Sequence, residues 1–202
     1  ILGSMEWLLV FCKNPIAGQV KTRLAKTIGE TAATAVYEQL CSHTRRVLHF
    51  WGGAVAVFHA SRPLKNNLWE QDHWYQKEQQ GQDLGERMQQ AIEWAFAQGA
   101  TKVCLIGSDL WTLTPTDIQE AFRALDDHPI VWGPATDGGY YLIGLTEPQP
   151  ELFHTLPWSQ PDLLKKSQAR LPQLSQFRLR EQNDIDTLED LKAHPDLYKT
   201  RN

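Results

Sequence analysis

The chain has 202 residues, of which 42% are hydrophobic and 22% charged, and its formal net charge of −4 argues against nucleic-acid binding driven by bulk charge. No apolar run approaches the roughly 18 residues that a membrane span needs. The three cysteines are odd in number and lie in apolar contexts, which excludes a disulfide framework and a paired-cysteine zinc motif. We therefore expect a reducing, cytoplasmic location.

Apolar runs alternate along the chain with segments of helical period, and this alternation predicts one α/β domain. Residues 1–4 are expected to be an expression scar, so the domain is expected over residues 5–202. Because strands separated by helices pair in parallel, we expect a mostly parallel central sheet with helices on both faces.

The predicted elements follow from apolar spacing and from capping residues such as Asp83 with Glu86 and Thr114 with Asp117. Residues 61–82 are polar and irregular, and some of the eight tryptophans are expected to line a surface, as a dimer interface or an acceptor cleft. Strands are predicted over residues 7–12, 54–60, 102–106, 130–132, 140–145 and 177–179. Helices are predicted over 22–50 (interrupted or bent near Gly29), 84–98, 115–125, 163–171 and 187–193.

The loop after the first strand is the first candidate site, because open parallel sheets bind ligands at the carboxyl ends of their strands. Gly18 allows a tight turn, and Lys13, Lys21 and Arg23 place three cations within eleven residues. Together with the free amides at the start of the next helix, they could hold a diphosphate. The alternative is a solvated basic loop.

Aspartates form the second group of candidates. Asp109 follows a predicted buried strand, where it could bind Mg²⁺ or Mn²⁺ that bridges phosphate oxygens, or simply cap a turn. Asp184 and Asp186 lie two residues apart in an extended segment, so they point the same way and could complete a metal site with Asp109. Their alternative role is a helix N-terminus, with Asp186 or Thr187 as the cap.

The segment Asp137-Gly138-Gly139 combines an acid with two glycines. This pattern predicts a tight turn with positive φ or a backbone that a ligand approaches closely. A plain hairpin turn would account for it equally well.

The loop and helix start around residues 80–88 form the last candidate. Gly85 lies in the first helical turn, where its propensity is poor, so it indicates close packing or a ligand against the backbone. Arg87 could reach an anion or pair with Asp83 one turn earlier.

Taken together, these segments resemble the GT-A-like nucleotide-diphospho-sugar transferases, in particular a small bacterial group labelled rSAM/selenodomain-associated transferases. The resemblance extends from about residue 8 to residue 191. Its ordered motifs are Lys-x-Pro-x-x-Gly-x-Val-Lys-Thr-Arg-Leu at 13–24, Asp-Leu-Gly-Glu-Arg-Met at 83–88, Gly-Ser-Asp at 107–109, Gly-Pro-Ala-x-Asp-Gly-Gly-Tyr-Tyr-Leu-Ile-Gly-Leu at 133–145, Leu-Phe-x-x-x-x-Trp at 152–158 and Asp-Ile-Asp-Thr-x-x-Asp-Leu at 184–191.

The resemblance implies a GT-A fold in which Mg²⁺ or Mn²⁺ and the N-terminal loop hold a nucleotide diphosphate. It implies Asp109 as metal ligand, with Asp184 or Asp186 as a second metal or acceptor-side acid. The same resemblance implies that the phosphates or the nucleotide are contacted by Lys13, Gly18, Lys21, Arg23, Gln80, Gly85 and Arg87. It also implies that the transferred group or the acceptor lies near Asp137, Gly138 and Gly139.

One position departs from the family pattern. Family members commonly carry proline two residues after the Gly-Ser-Asp acid, whereas this chain has Trp111, whose ring is expected to lie on the acceptor side and to alter the pocket.

We therefore expect a metal-dependent, glycosyltransferase-like enzyme that takes a nucleotide sugar and a small-molecule acceptor, with Asp137 as the general base. One alternative is a nucleotidylyltransferase that takes a nucleoside triphosphate and releases pyrophosphate, because the fold and the cation arrangement suit both. The other is a catalytically weak nucleotide-binding or partner module, which Trp111 and the tryptophans near 69–75 would favour.

Overall fold

A seven-stranded sheet organises the computed structural model, which describes residues 5–71, 73–154, 158 and 160–199. Its strands are β1 Glu6–Cys12, β2 Ala54–His59, β3 Tyr75–Glu78, β4 Lys102–Gly107, β5 Ile130–Pro134, β6 Tyr140–Leu145 and β7 Gln176–Arg178. Across the sheet they follow the order β3-β2-β1-β4-β6-β5-β7. Only β6 runs antiparallel to its neighbours within this sheet, so the predicted mostly parallel α/β architecture is confirmed.

The helices are α1 Thr22–Ile28, α2 Glu30–Leu48, α3 Leu84–Ala97, α4 Pro115–Ala124, α5 Leu163–Gln168, α6 Leu188–Lys192 and α7 Pro195–Lys199, with a short 3₁₀ turn at Pro150–Leu152. Two of them begin in closed capping boxes, formed by Thr114 with Asp117 and by Thr187 with Asp190. Asp83 caps α3 by accepting the Glu86 N–H, whereas the Glu86 carboxylate accepts the N–H of Gln82 rather than that of the cap.

Helices cover both faces of the sheet because the central strands are apolar along most of their length. In β1, Leu8 and Val10 pack in the cluster that contains α2 and α4. Trp7 and Leu9 point the other way and pack in the cluster that contains α3. A strand buried on both faces is a continuous apolar run, which is the pattern from which it was predicted.

The sheet has its topological switch point at β1, which pairs with β2 on one side and with β4 on the other. Phe11 lies beside Gly107 in this pairing, so the loops that follow β1 and β4 emerge next to each other. Ligands of open α/β sheets bind in the crevice at such a point. The architecture therefore brings the first candidate loop and Asp109 to the same place.

One local prediction is wrong. The irregular stretch predicted over 61–82 contains β3, an edge strand whose two end residues are exposed, so it lacks the apolar run of the central strands. The predicted closing helix is confirmed as α6, and a further short helix, α7, follows it. The interruption or bend predicted near Gly29 is a break between α1 and α2, and residue 29 has a φ of +86°.

The tryptophans lie mostly in the packed interior. All eight are buried or partly buried, and Trp69 and Trp74 belong to the core with exposures of 3% and 6%. The exposed aromatic residue of that stretch is Tyr75. Trp69 and Trp74 therefore form core rather than a partner surface, whereas the partly buried Trp94 lines an open surface cavity.

Cys12, Cys41 and Cys104 are all buried and free. None of the helices in the described ranges is long and apolar enough to span a membrane. The expected scar at residues 1–4 lies outside the described residues.

Candidate functional site

Three connected cavities surround the carboxyl ends of β1 and β4. The outer cleft, of about 570 Å³, is lined by Lys21, Arg23, Arg87, Asp109 and Asp186 among others. The inner pocket, of about 160 Å³, lies behind it and shares Asp109. The acidic pocket, of about 230 Å³, is lined by Asp137, Asp184, Asp186 and Asp190 together with Arg23.

Lys21 is the centre of the outer cleft. Its ammonium donates to Asp109 Oδ2 at 2.8 Å and to Asp186 Oδ1 at 2.9 Å, and its side chain is only 4% exposed. Burial disfavours the charged ammonium, but the two carboxylates outweigh this effect and hold the pKa of Lys21 above its usual value. Asp109 lies 88 residues and Asp186 lies 165 residues further along the chain than Lys21, so the bridge joins distant parts of the sequence.

The backbone of Lys21 is strained. It is the N-cap of α1 with φ +46° and ψ +44°, in the left-handed region that lysine rarely adopts. Strain of this kind persists where the surroundings fix a residue, and it concentrates at functional sites. Here Val20 is buried beside it, and the two ion pairs fix the side chain.

Carboxylates crowd around the Lys21 ammonium. Burial first, and then the charge of Asp109, raise the pKa of Asp184 to about 7. Arg23 contributes a weaker pair with Asp186 at 3.6 Å, and its side chain is 69% exposed. Asp109, Asp184 and Asp186 therefore concentrate acidic groups next to one buried cation.

This donor set fits a divalent cation that uses one or two carboxylates and completes its shell with phosphate oxygens. Mg²⁺ in particular binds in this way, because it loses its waters reluctantly. Within the described ranges, no three His, Cys, Asp or Glu side chains are already arranged as a metal site. Lys21 bridges Asp109 and Asp186, so its ammonium compensates part of the negative charge that a metal ion would otherwise compensate.

The segment around Asp184 forms the helix start that was one of the two roles considered for it. Thr187 caps α6, and Asp190 completes that cap and also accepts a hydrogen bond from Asn183 at 2.7 Å. Because Thr187 provides the cap, the side chains of Asp184 and Asp186 are left to line the cavities.

The loop after β1 is held by hydrogen bonds at its start. The buried Asn14 amide donates to Ser61 Oγ at 3.0 Å and to the Arg62 carbonyl at 2.9 Å. The Tyr37 hydroxyl accepts the Lys13 N–H at 2.8 Å and lies 3.0 Å from Ser108 Oγ. Residues 15–19 are exposed, so the loop is solvated beyond this fixed start.

Tyr37, Ser108 and Gln79 also line the outer cleft, and the sequence did not single them out. Tyr37 had the spacing of an ordinary helix core residue. Gln79, rather than the exposed Gln80, reaches the cleft, and its amide donates to the Phe58 carbonyl at 2.9 Å. Ser108 is the one with a sequence signal, because it lies inside the Gly-Ser-Asp motif.

Three residues predicted to contact the nucleotide, Gly18, Gly85 and Arg87, are in contact with other residues of the protein. A Cβ on Gly85 would lie 2.3 Å from Trp158 and 2.4 Å from the Phe153 carbonyl, so close packing explains this glycine. Gly18 has a φ of +77° and faces the Glu30 carboxylate. Arg87 lines the outer cleft, and its Nε donates to the Gly81 carbonyl at 3.1 Å instead of pairing with Asp83.

The turn at 137–139 is also held by the protein itself. Gly138 has a φ of +88°, and a Cβ there would lie 1.7 Å from the Pro161 carbonyl oxygen. Asp137 is exposed, and its Oδ1 accepts the Gly139 N–H at 2.9 Å. Of these three residues, Asp137 is the one that lines a cavity, the acidic pocket.

Trp111 does not enter any of the three cavities described above. Its ring lies 4.9 Å from that of His43 and packs against the small cluster formed by α1, α2 and α6. The substitution of tryptophan for the usual proline therefore adds packing behind the site.

Comparisons with known proteins agree with this geometry. Residues 43–160 match the family described as "uncharacterized protein conserved in bacteria (DUF2064)". A crystal structure from Desulfovibrio desulfuricans G20, whose name assigns it provisionally to the nucleotide-diphospho-sugar transferases, is 31% identical, with a TM-score of 0.87 over 98% of this chain and 88% of that one. No curated protein matches the sequence.

More distant structures share the fold alone. The manganese complex of Rv0371c from Mycobacterium tuberculosis H37Rv is 14% identical, with a TM-score of 0.60 over 94% of this chain and 97% of that one. The 4-diphosphocytidyl-2C-methyl-D-erythritol synthase of Anaerococcus prevotii DSM 20548 is 10% identical, with a TM-score of 0.62 over 98% of this chain and all of that one. From the family match and the 31% identical relative, the chain belongs to the DUF2064 family, among the GT-A-like nucleotide-diphospho-sugar transferases.

Proposed function

We propose that this protein is a metal-dependent glycosyltransferase that takes a nucleotide-diphospho-sugar and a small-molecule acceptor. The observation that carries the proposal is the bridge from Lys21 to Asp109 and Asp186 at the switch point of the sheet. A buried cation between two carboxylates thus lies where this fold class binds ligands. The name of the 31% identical relative supports a nucleotide-sugar donor.

Asp109, with Asp184 or Asp186, would hold Mg²⁺ or Mn²⁺. The manganese complex of Rv0371c supports this choice of ion for the fold. When bound, the ion supplies Lewis-acid stabilisation of the charge that develops on the diphosphate. Lys21 would then release at least one carboxylate, which its four-carbon side chain allows.

The cations of the outer cleft would bind the diphosphate. Lys21 and Arg23 lie closest to the proposed metal ligands, and Lys13 and Arg87 line the same cleft. As the bond between the sugar carbon and the phosphate oxygen breaks, its electron pair leaves with the nucleoside diphosphate. The cations stabilise that charge more in the transition state than in the ground state, which is the requirement for catalysis.

Asp137 would be the general base. The acceptor hydroxyl oxygen forms the new bond to the sugar carbon, and its proton passes to the Asp137 carboxylate. The hydrogen bond from Gly139 N–H orients that carboxylate, and the acidic pocket beside it leads to Asp184 and Asp186. The turn at 137–139 would thus adjoin the transferred group.

The test is a binding panel by thermal shift, with Mn²⁺ and each nucleoside diphosphate, nucleotide sugar and nucleoside triphosphate in turn. A ligand at about 100 times its Kd adds roughly 2.7 kcal/mol of stability. For a chain of this size that is a rise in Tm of about 5–10 °C. We expect nucleotide sugars and diphosphates of one base to give this rise only when Mn²⁺ is present.

Asp109→Asn is the variant, and Asp127→Asn is its matched control, because Asp127 is exposed and lies at the opposite end of the sheet. We expect Asp109→Asn to weaken nucleotide binding at least about 10-fold, equivalent to about 1.4 kcal/mol, and Asp127→Asn to have no effect. A preference for triphosphates would instead support nucleotidyl transfer. If no nucleotide raised the Tm, the transferase proposal would be wrong.

A further inference from the structure

The strand pairing between β1 and β4 ends just before the two segments that carry the candidate site. Phe11 and Gly107 are the last residues paired between these strands. Lys13 and Asp109 each lie two residues beyond that pair, and both line the outer cleft. The spacing between them therefore depends on side-chain contacts rather than on the sheet.

The hydroxyl of Tyr37 bridges these two segments. Tyr37 lies on α2, and its hydroxyl accepts the Lys13 N–H at 2.8 Å and lies 3.3 Å from the Lys13 carbonyl oxygen. The same hydroxyl lies 3.0 Å from Ser108 Oγ, and Ser108 directly precedes Asp109. These contacts take up the one proton and the acceptor capacity of a phenolic hydroxyl. The hydroxyl of Tyr37 therefore acts on the protein rather than on a bound ligand.

The bridge is buried, so water does not readily replace it. Tyr37 and Ser108 are 4% and 3% exposed. Burial raises the pKa of Tyr37 well above its usual value, so the hydroxyl stays protonated and neutral at pH 7. A buried group that loses its hydrogen-bond partner keeps the cost of its desolvation. The backbone at Lys13 and the side chain of Ser108 are therefore held in fixed positions by one atom of α2.

α2 also contacts the far part of the loop that follows β1. Gly18 faces the carboxylate of Glu30, which is the first residue of α2. Tyr37 lies seven residues further along the same helix, where its ring packs in a core cluster. One helix thus contacts the loop at two points, and Tyr37 is where it also reaches the segment that carries Asp109.

We propose that Tyr37 is a positioning residue, whose hydroxyl fixes the distance between the loop that binds the diphosphate and the segment that carries the metal ligand Asp109. A diphosphate with its metal ion would contact both segments at once, so holding them in place beforehand lowers the cost of ordering them on binding. A metal ion alone would need only the carboxylates. The role rests on the proposed metal and diphosphate site, but not on which nucleotide binds or which group is transferred.

The test compares two probes, Mn²⁺ alone and the complex of Mn²⁺ with inorganic pyrophosphate. Tyr37→Phe keeps the ring and removes the bridging hydroxyl, and isothermal titration calorimetry measures both affinities. We expect Tyr37→Phe to bind Mn²⁺ alone within about 2-fold of wild type, and the Mn²⁺–pyrophosphate complex at least about 10-fold more weakly. Unchanged binding of the complex, equal weakening of both probes, or a wild type that does not bind the complex would overturn the proposal.

A merely structural role of Tyr37 would not separate the two probes. Loss of its hydrogen bonds should lower the Tm by about 2–6 °C. Well below the Tm almost all of the protein is folded, so this loss of stability leaves the Kd of the folded protein unchanged. Tyr140→Phe is the matched control, because the Tyr140 hydroxyl is buried and has no hydrogen-bond partner among the described residues. We expect it to bind both probes as wild type does, and the same split in this control would contradict the assignment to Tyr37.

Ser108→Ala tests the bridge from its other end, and it carries the test if Tyr37→Phe does not fold. It removes the contact with Tyr37 but leaves the contacts of Lys13, so the Mn²⁺–pyrophosphate complex should bind about 3- to 10-fold more weakly. Because both substitutions break the same bridge, the double variant should bind the complex no more weakly than Tyr37→Phe does. Unchanged binding in Ser108→Ala, or additive effects of the two substitutions, would contradict the proposal.

The thermal-shift panel with nucleotides separates this proposal from the proposed function. If binding of Mn²⁺–pyrophosphate depends on Tyr37 but no nucleotide raises the Tm, the proposed function fails and the positioning role stands. If nucleotide sugars raise the Tm of the wild type but Tyr37→Phe binds Mn²⁺–pyrophosphate as wild type does, the positioning role fails and the proposed function stands.

Discussion

Replacing Lys21 by methionine tests whether its ammonium balances the carboxylates of the cleft. Methionine keeps the length and apolar character of the side chain but removes the ammonium that contacts Asp109 and Asp186 at 2.8 and 2.9 Å. The strained backbone remains, because methionine is no better suited than lysine to a φ of +46°. The variant therefore isolates the loss of charge.

The magnitude follows from the exposure of the partners. Breaking a fully buried ion pair costs about 3–5 kcal/mol. Asp109 and Asp186 are 36% and 41% exposed, so solvent screens part of the repulsion. We expect a loss of about 2 kcal/mol, which is a fall in Tm of about 4–8 °C.

Mn²⁺ should restore the variant. With the ammonium gone, a divalent cation meets no competitor between the carboxylates, so Mn²⁺ alone should raise the Tm of Lys21→Met more than that of the wild type. Differential scanning calorimetry with and without Mn²⁺ measures both effects. Lys26→Met is the control, because Lys26 is exposed on the same helix, and its removal should change stability by less than about 0.5 kcal/mol. If Lys21→Met were as stable as wild type, or if Mn²⁺ shifted the two equally, the charge-balance argument would be refuted.

The other predictions concern stability. Asp117, whose side chain is 4% exposed, accepts hydrogen bonds from Thr114 and from Arg180 at 2.6 and 2.8 Å, so urea unfolding at pH 7 should show Asp117→Asn to be about 2–3 kcal/mol less stable. Burial alone would raise the pKa of Asp117, but the hydrogen bonds from Arg180 and Thr114 lower it. The stabilisation by the ionised carboxylate is therefore fully present above the unfolded pKa of about 3.9, and the stability difference between wild type and Asp117→Asn should shrink as the pH falls below about 4. A difference that stays constant with pH would contradict the role of the ionised carboxylate. Gly85→Ala should lose roughly 1–3 kcal/mol because its Cβ meets Trp158 and the Phe153 carbonyl, while Gly52→Ala, with no atom within 4 Å, should be neutral or slightly stabilising in the same denaturation experiment.

Much of the fold could be predicted because its signals are local. The apolar runs that became β1 and β4 are buried on both faces, so every residue in them contributes to the pattern. Capping residues such as Thr114 and Asp83 mark helix starts through bonds that span only three residues. β3 lacked such a signal, because it is a short edge strand fixed mainly by its pairing with β2.

The candidate site was only partly predictable. The sequence predicted that Lys21, Asp109 and Asp186 lie at the ends of helices or strands. It did not predict that the Lys21 ammonium lies between the two carboxylates, because that contact depends on the strand order. Gly85 was recognised as anomalous, yet its partner Trp158 lies 73 residues further along the chain. The unpartnered hydroxyl of Tyr140 is a property of the packed structure, so no pattern in the sequence indicates it.

The central claim is that Asp109 and its neighbouring carboxylates hold a divalent cation against a nucleotide diphosphate. Anomalous diffraction at the manganese edge, from crystals grown with Mn²⁺ and the nucleoside diphosphate that stabilises the protein best, tests it directly. The account predicts one strong anomalous peak about 2.1–2.2 Å from an Asp109 carboxylate oxygen, with phosphate density on its other side and Lys21 moved off at least one carboxylate. Nucleotide density with no peak at Asp109, or with Lys21 still bridging Asp109 and Asp186, would contradict it.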